Sequence, residues 1–484
     1  MSKLNNDILF LTFEELKEDS KTLFSCLMVN RLWCETVIPV LWKNPWSYNI
    51  NYHNKNSLYS VITSYLTDDI KEFLIRREIL LLPISHQSLL FDYLSFCRNF
   101  DIDTLNAIIS IGTSDLYNQF LLQQEIYYLL MRKCLELKYL NIRSIKHQIF
   151  YFPEAEARLE SLCELKCDTS IDSSYFYGLA RICHYIQRLI IINRRINVNY
   201  GLVKLIENQR NLKYFELEDD FDDDDFIEDP YKEILLALSR KADVLNHLII
   251  SFRFIDYEHT IIQDVLTKLH KLKTLIIENE FIYFSENQSK MLTYHKLETF
   301  NIDFIHLNDA SIIIENSGGQ LKEILLRYID YEHLYDDVNE DSLDFIRKVH
   351  ENCPMIENLS LLFISTRNHF DEFEKLLKTC QNLKSLLLSV LDAFDKEKTG
   401  KEILKILTRS APTSLREIRF FKDFKFPLEN LEEFFKNWKD RPALSILTSD
   451  FLYTREDYMK LIDKYKSNGV IKNFMCNATN SIYY

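Results

Sequence analysis

The chain has 484 residues, a mass of 57.9 kDa and a net charge of −14, with 47% hydrophobic and 27% charged residues. That length allows about three compact domains or one long repeat array, and the composition excludes disorder as the main state. The acidic balance disfavours general nucleic-acid binding, no apolar run reaches the ~18–20 residues of a membrane span, and the 7 glycines make no GxGxxG or Walker loop. We therefore expect neither nucleic acid, nor membrane, nor a nucleotide cofactor as a partner. The 10 cysteines are scattered without a CxxC pair, and Cys163 and Cys167 lack the second pair that zinc would need. With no basic-then-apolar start to the chain, this usage points to the cytoplasm or nucleus.

Residues 1–46 read as a small helical module. Asn5-Asn6-Asp7 precedes Ile8, Leu9, Leu11, Phe13 and Leu16, the pattern of a capped helix. A second helical segment, Ser20–Val40, carries Leu23, Phe24, Leu27, Val29, Leu32, Trp33 and Val37, and Trp42-Lys43-Asn44-Pro45-Trp46 breaks it. So short a module buries little surface and needs a neighbour. Residues 47–133 show helical periodicity at Asp69–Leu81 and Asn118–Lys133 and read as a helical spacer, with room for degenerate repeats.

From 134 to 450 one string recurs: an apolar anchor, two variable residues, an apolar residue, one variable, one apolar. Leu137-KY-Leu140-N-Ile142 and Leu383-KS-Leu386-L-Leu388 are examples. The other anchors are Leu162, Ile186, Leu212, Leu245, Leu272, Leu297, Leu321, Ile356 and Leu415, with Leu444 as a decayed twelfth. Steps of 24 to 35 residues are those of leucine-rich repeats. The L-x-L core alternates with period two and predicts a short strand with one buried face. Stretches such as Asp371–Cys380 and Lys401–Arg409 predict helices between strands. The expected fold is an α/β solenoid, an arc with parallel strands inside and helices outside. Its central inner column would read Asn141, Lys166, Ile190, Glu216, Ile249, Ile276, Asn301, Leu325, Ser360, Leu387 and Arg419. Ile190, Ile249, Ile276, Leu325 and Leu387 are large apolar residues at nominally wet positions. They mark either a target-binding wall or a surface that a loop or the C-terminal tail covers.

Two wide steps carry acidic insertions. Glu216–Asp229 holds ten acidic residues, Ile329–Phe345 seven, and neither contains Lys or Arg. A calcium loop does not fit the first, because Tyr231 stands where the closing Glu would be if Asp220 were the first ligand. Each reads as a solvated loop or a dock for a basic partner segment. The charge reverses near the end: from Asp395 onward the net is +4. Residues 451–484 read as a cap or tail.

The strings L-x-x-D-I-L-x-x-x-F-E-E-L and L-F-S-C-L-x-V-N-R-x-W-C-E-x-x-x-P-x-L-W, over roughly residues 4–42, resemble an F-box, in particular those of large fungal F-box families. An F-box before leucine-rich repeats makes the resemblance more specific, and Leu90–Ile111 is similar to the same region of such proteins. The resemblance implies binding to the Skp adaptor of a cullin–RING ubiquitin ligase, through Leu4, Ile8, Leu9, Phe13, Leu16, Leu27, Val29 and Trp33. The repeats would hold a protein target whose identity the sequence does not give. The chain departs from the family at Asn5, where a proline is usual. Without HExxH, GxSxG or a phosphate loop, a non-catalytic adaptor is expected, and the alternative is a repeat scaffold outside any ligase.

Overall fold

A strand with apolar residues on one side must cover that side with something, and here each strand is followed by a helix and then by the next strand. The computed structural model describes residues 5–47, 52–82, 89–195, 197–221, 229–253, 261–327, 338–391, 396–421 and 424–476. It has two compact units, Met1–Phe215 and Glu216–Tyr484. Both are α/β. Fourteen parallel strands among the described residues lie, along each unit, in the order they take along the chain.

The first unit opens with α1 (Asn6–Glu15), α2 (Ser20–Cys26), α3 (Arg31–Lys43), α4 (Tyr52–Ser64) and α5 (Asp68–Arg76). It continues with β1 (Asn99–Asp101), α6 (Ile102–Ile109), α7 (Leu116–Lys133), β2 (Tyr139–Asn141), α8 (Ala155–Glu160), β3 (Glu164–Asp168), α9 (Ser173–Ile182), β4 (Arg188–Asn193) and α10 (Tyr200–Asn208). The unit boundary falls inside β5 (Tyr214–Asp219).

The second unit alternates in the same way. It runs α11 (Lys232–Ser239), β6 (His247–Ser251), α12 (Ile262–Leu266), β7 (Thr274–Ile282), α13 (Glu286–Ser289), β8 (Thr299–Ile305), α14 (Leu307–Glu315) and β9 (Glu323–Leu326). Then come α15 (Val338–Asn352), β10 (Asn358–Ile364), α16 (Arg367–Thr379), β11 (Ser385–Leu391), α17 (Lys396–Ser410), β12 (Glu417–Phe421), α18 (Leu428–Asn437), β13 (Leu444–Thr448), α19 (Glu456–Ser467) and β14 (Ile471–Cys476).

The repeat string sets the register. Leu140 lies opposite Leu165, which lies opposite Leu189. In the second unit Leu275 faces Phe300, Phe300 faces Ile324, and Leu386 faces Ile418. All of these are fully buried. Each such side chain stabilises by about 1.5–3 kcal/mol relative to exposure, so the core is a ladder of like residues. This ladder defines a leucine-rich-repeat solenoid.

Polar bonds tie successive repeats at the position three residues before the anchor. The buried Gln209 accepts from the Ile186 N–H at 2.9 Å and donates to the Cys183 carbonyl at 2.8 Å. The fully buried Tyr294 donates to the Leu266 carbonyl at 2.8 Å. At the same position Cys353 and Cys380 are small buried fillers, in keeping with their sequence context.

The structure extends the repeats beyond 134–450 on both sides. Cys97-RN-Phe100-D-Ile102 forms β1 inside the expected spacer, with Cys97, Phe100 and Ile102 all buried. Ile471-KN-Phe474-M-Cys476 forms β14, so part of the expected tail is another strand–helix unit. The twelfth repeat is shifted by one residue. Ile418 pairs with Ile446 and Arg419 with Leu447, which puts the half-buried Ala443 in register with the anchors beside the fully buried Leu444. Ser20–Val40 is two helices, because Asn30 is fully extended at φ −168 and caps α3, accepting from the Trp33 N–H at 2.9 Å. The helix expected over Asp69–Leu81 stops at Arg76, followed by a left-handed Glu78 at φ 60. Residues 222–228 and 329–337 of the two acidic insertions lie outside the described residues, whereas 216–219 belong to β5 and 338–345 to α15 rather than to a loop.

Close packing of α9 on α10 leaves no room at Gly201, where a Cβ would meet the Ser173 carbonyl oxygen at 2.0 Å. Alanine gains about 1 kcal/mol of helix propensity over glycine, but overpacking of a fixed backbone costs about 1–3 kcal/mol. Gly201→Ala is therefore expected to lower the urea midpoint, and an unchanged midpoint would show that the helices can separate freely. Burial holds His147 and His369 down to about 4, from an ordinary 6.5. Between those values the unfolded chain binds the protons and the folded chain does not, so stability falls as pH drops from about 6.5 towards about 4. Replacing His147 with Leu should flatten that slope in denaturation series run at each pH.

Candidate interaction surfaces

The helical module has its own core. Leu9, Phe13, Leu23, Cys26, Val37, Val40 and Leu41 are buried together, and Leu16, Leu27, Leu32, Trp33 and Trp42 pack against them. The Phe13 and Trp33 rings meet edge-on at 5.3 Å. Local polar bonds fix the turns. The Asp19 side chain caps α2 through the Thr22 N–H at 3.1 Å, and the Thr22 hydroxyl bond holds its carboxyl below the usual range. Lys43 joins α3 to α1 through Glu14 at 3.0 Å.

This core divides the residues expected to face an adaptor. Leu9 and Phe13 are 3% and 1% exposed and hold the helices together, so they cannot contact a partner directly. Leu16, Leu27 and Trp33 are partly buried against the same core. Ile8 and Val29 remain outside, at 52% and 55% exposure, and Leu4 lies outside the described residues. The structure adds Leu11 on α1, Phe24 on α2 and Met28 after it, the last 87% exposed. Ile8 and Leu11 are three residues apart on α1 and share a helix face, whereas Met28 follows the end of α2 at Cys26. Nearly every residue from Ile8 to Phe13 is apolar, and only the packing of α3 reveals which ones turn inward.

The module is fastened to the first repeat. The Arg98 N–H donates to the Lys43 carbonyl at 2.9 Å, and the Trp46 indole N–H donates to the Asn99 carbonyl at 2.6 Å. These bonds occupy the outer edge of β1, which would otherwise offer unpaired backbone groups.

The inner strand face is polar in the first unit. In the row Tyr139, Glu164, Arg188, Tyr214 the Arg188 guanidinium stands 4.0 Å over the Tyr214 ring and 3.4 Å from Glu164. In the next row Asn141 donates to Asp101 at 3.1 Å, and Arg143 meets Asp103 at 2.9 Å. Lys166 lies opposite Ile190.

The second unit presents a different face. Ile249 and Ile276 are register partners, as are Asn301 and Leu325. Ile249, Ile276 and Leu325 are half-buried. A polar ladder runs beside them. Glu323 accepts from Asn301 at 2.8 Å and Asn358 at 3.0 Å, and Glu417 accepts from Ser385 at 3.0 Å and Arg419 at 2.7 Å. Arg327 meets Asp303 at 3.4 Å, and burial raises the Asp303 carboxyl above its ordinary range. The expected target wall is only partly available. Ile190 and Leu387 are 7% and 3% exposed, because β4, β10 and β11 are buried on both faces over most of their length. The remaining stripe can accept apolar side chains without stripping water from unpaired charges.

Six buried thiols are muted. Burial pushes the thiols of Cys134, Cys183 and Cys380 up to about 11, 12 and 12, and raises Cys97, Cys167 and Cys353 further. A thiol so raised is not a thiolate at neutral pH. Ser342 and His369 make a 2.9 Å contact that resembles a nucleophile and its base. Both are fully buried between α15 and α16, and the second ring nitrogen meets Thr366 at 2.8 Å rather than a carboxylate. The pair ties helices together and has no path to a substrate. No sequence signal joins residues on separate helices in this way. Among the described residues no group of three or more potential ligands could hold a metal, and no helix is long and apolar enough to cross a membrane.

No family model matches this sequence, and no curated protein matches it. Among solved structures 46 chains are similar. One is an internalin from Listeria monocytogenes, 13% identical, with a TM-score of 0.34 over 63% of this chain and 78% of the internalin chain. The leucine-rich-repeat assignment rests on the recurrence and register within this chain itself.

Proposed function

We propose that this chain is the substrate receptor of an SCF-type cullin–RING ubiquitin ligase. Its N-terminal helices bind the Skp adaptor, and its repeats bind a protein target. The observation that carries this reading is the apolar surface left on a module that already has a core. Ile8, Leu11, Phe24, Met28 and Val29 are all exposed over a packed interior. Exposed apolar side chains so concentrated mark a partner surface. The chain would do no chemistry of its own in the cytoplasm or nucleus. Its effect on rate is to raise the local concentration of target lysines near the charged conjugating enzyme.

The unusual Asn5 does not count against this reading. Its φ of −67 is the angle that proline would impose, so the backbone here already has the conformation that a proline would preset. The half-buried Ile249, Ile276 and Leu325 are the part of the strand face best suited to a target.

The test is capture of the Skp adaptor by the full chain, beside a Leu11→Glu/Met28→Glu variant whose fold is checked by circular dichroism. The intact chain should bind, and the variant should lose roughly tenfold or more, as central apolar contacts do. Failure of the intact chain to bind would leave a repeat scaffold without a ligase role. Asn5→Pro should stabilise the module by about 0.4–1 kcal/mol through the unfolded state, read as a higher thermal midpoint. A lower midpoint would mean that the Asn5 N–H has a partner.

A further inference from the structure

Between β6 and β9 the strand face of the second unit has three rows. The middle row is Ile249, Ile276, Asn301 and Leu325, half-buried partners in register. His247, Thr274, Thr299 and Glu323 run before it. Ser251, Glu278, Asp303 and Arg327 run beyond it, each two residues further along the chain and so on the same face. The alternate residues Ile250, Ile277, Ile302 and Leu326 fill the core.

Besides His247, these rows hold the carboxylates of Glu278, Asp303 and Glu323 and the guanidinium of Arg327. Arg327 is taken by Asp303 at 3.4 Å. The lysines at the strand starts are taken as well, Lys322 by Glu298 at 2.7 Å and Lys384 by Glu357 at 2.6 Å, with Lys273 at 3.9 Å from Glu298. Glu278 and Glu323 make no ion pair among the described residues. They accept from neutral groups, Glu278 from the Ser251 hydroxyl at 2.5 Å and Glu323 from the Asn301 and Asn358 amides. Negative charge is therefore left over on both borders of the apolar row, and the Glu278 charge adds to burial in raising the Asp303 carboxyl. A bulge in β7 fixes Glu278 in place. Asn279 is left-handed at φ 58, its N–H donates to Asp303 at 2.8 Å, and its amide donates to the Phe252 carbonyl at 2.8 Å. Such bulges re-aim side chains beside binding sites. The sequence has the same sign nearby: residues 220–229, after β5, have seven acidic residues, 328–337, after β9, have four, and neither contains Lys or Arg.

We propose that this face takes a short extended segment of the target that is both apolar and basic, with apolar side chains on Ile249, Ile276 and Leu325 and Lys or Arg side chains against Glu278 on one border and Glu323 on the other. Four strands about 4.8 Å apart give a stripe of about 14 Å, the reach of about four or five extended residues. A cation arriving there meets carboxylates already oriented by Ser251 and by the two asparagines, and charge-assisted bonds of this kind are stronger than neutral ones. The inference rests on the reading of the repeats as a target receptor and narrows that reading to one chemistry.

The test uses the full chain and a fluorescein-labelled peptide, Lys-Leu-Arg-Ile-Lys-Leu, followed by fluorescence anisotropy. Saturable binding is expected. Glu278→Gln and Leu325→Ser should each weaken it roughly fivefold, through lost charge complementarity and lost apolar contact. Glu429→Gln, the same loss of charge on an exposed position of α18, should leave it unchanged. Circular dichroism checks that the variants keep the fold. Three results would each overturn the proposal: no saturable binding, equal effects of Glu278→Gln and Glu429→Gln, or equal binding of a peptide with Ser in place of Leu and Ile. The last two would indicate a diffuse attraction of an acidic chain for cations. Capture of the Skp adaptor by the same preparation separates the two readings. Capture without peptide binding overturns this inference alone, and peptide binding without capture upholds it while removing the ligase role.

Discussion

One strand–helix unit of this chain cannot bury its own apolar strand face, and most of the molecule follows from that constraint. A three- to nine-residue strand has too little area to offset the chain entropy of ordering it. Placing Leu140 against Leu165, or Phe300 against Ile324, solves the problem for both members at once. The solution then has to be repeated, because each added strand exposes a new edge. Insertions between strands are tolerated wherever they leave this ladder untouched, which is why steps of 24 and 35 residues coexist.

That constraint also decided what could be read from the sequence. Large aliphatic anchors recur visibly, so strands β2 to β12 and their register were legible. The first repeat was hidden because its anchor is Cys97, small and apolar enough to be buried but absent from a pattern written in Leu and Ile. The twelfth was displaced because the register puts Ala443, not the more conspicuous buried Leu444, in line with the other anchors. Period two punishes such a slip: Leu447 moves from the core side to the strand face. The break at Asn30 was less visible still, since a capping side chain inside an apolar run is a local event.

The candidate surfaces were legible to a lesser degree. The strings of the N-terminal module carry a resemblance only, and the faces of α1 cannot be sorted by pattern when Ile8, Leu9, Phe10 and Leu11 are all apolar. Packing sorts them: Leu9 and Phe13 go in, and Ile8 and Leu11 stay out. On the strand face the sequence named the right column but not its accessibility. Ile190 and Leu387 share a row with exposed-looking neighbours, yet their strands are covered on both sides. Burial of that kind depends on what passes over a strand, not on the strand itself.

The bonds from Lys43 and Trp46 to the edge of β1 give the helical module a second task. Cutting the chain after the module would not yield a shorter version of the same repeat protein. It would bare the Arg98 N–H and Asn99 carbonyl along a freshly opened sheet margin, a template on which other chains can add. That margin would favour self-association of a truncated form. The first helices are in this sense a stopper for the stack as well as a module with an apolar outer surface.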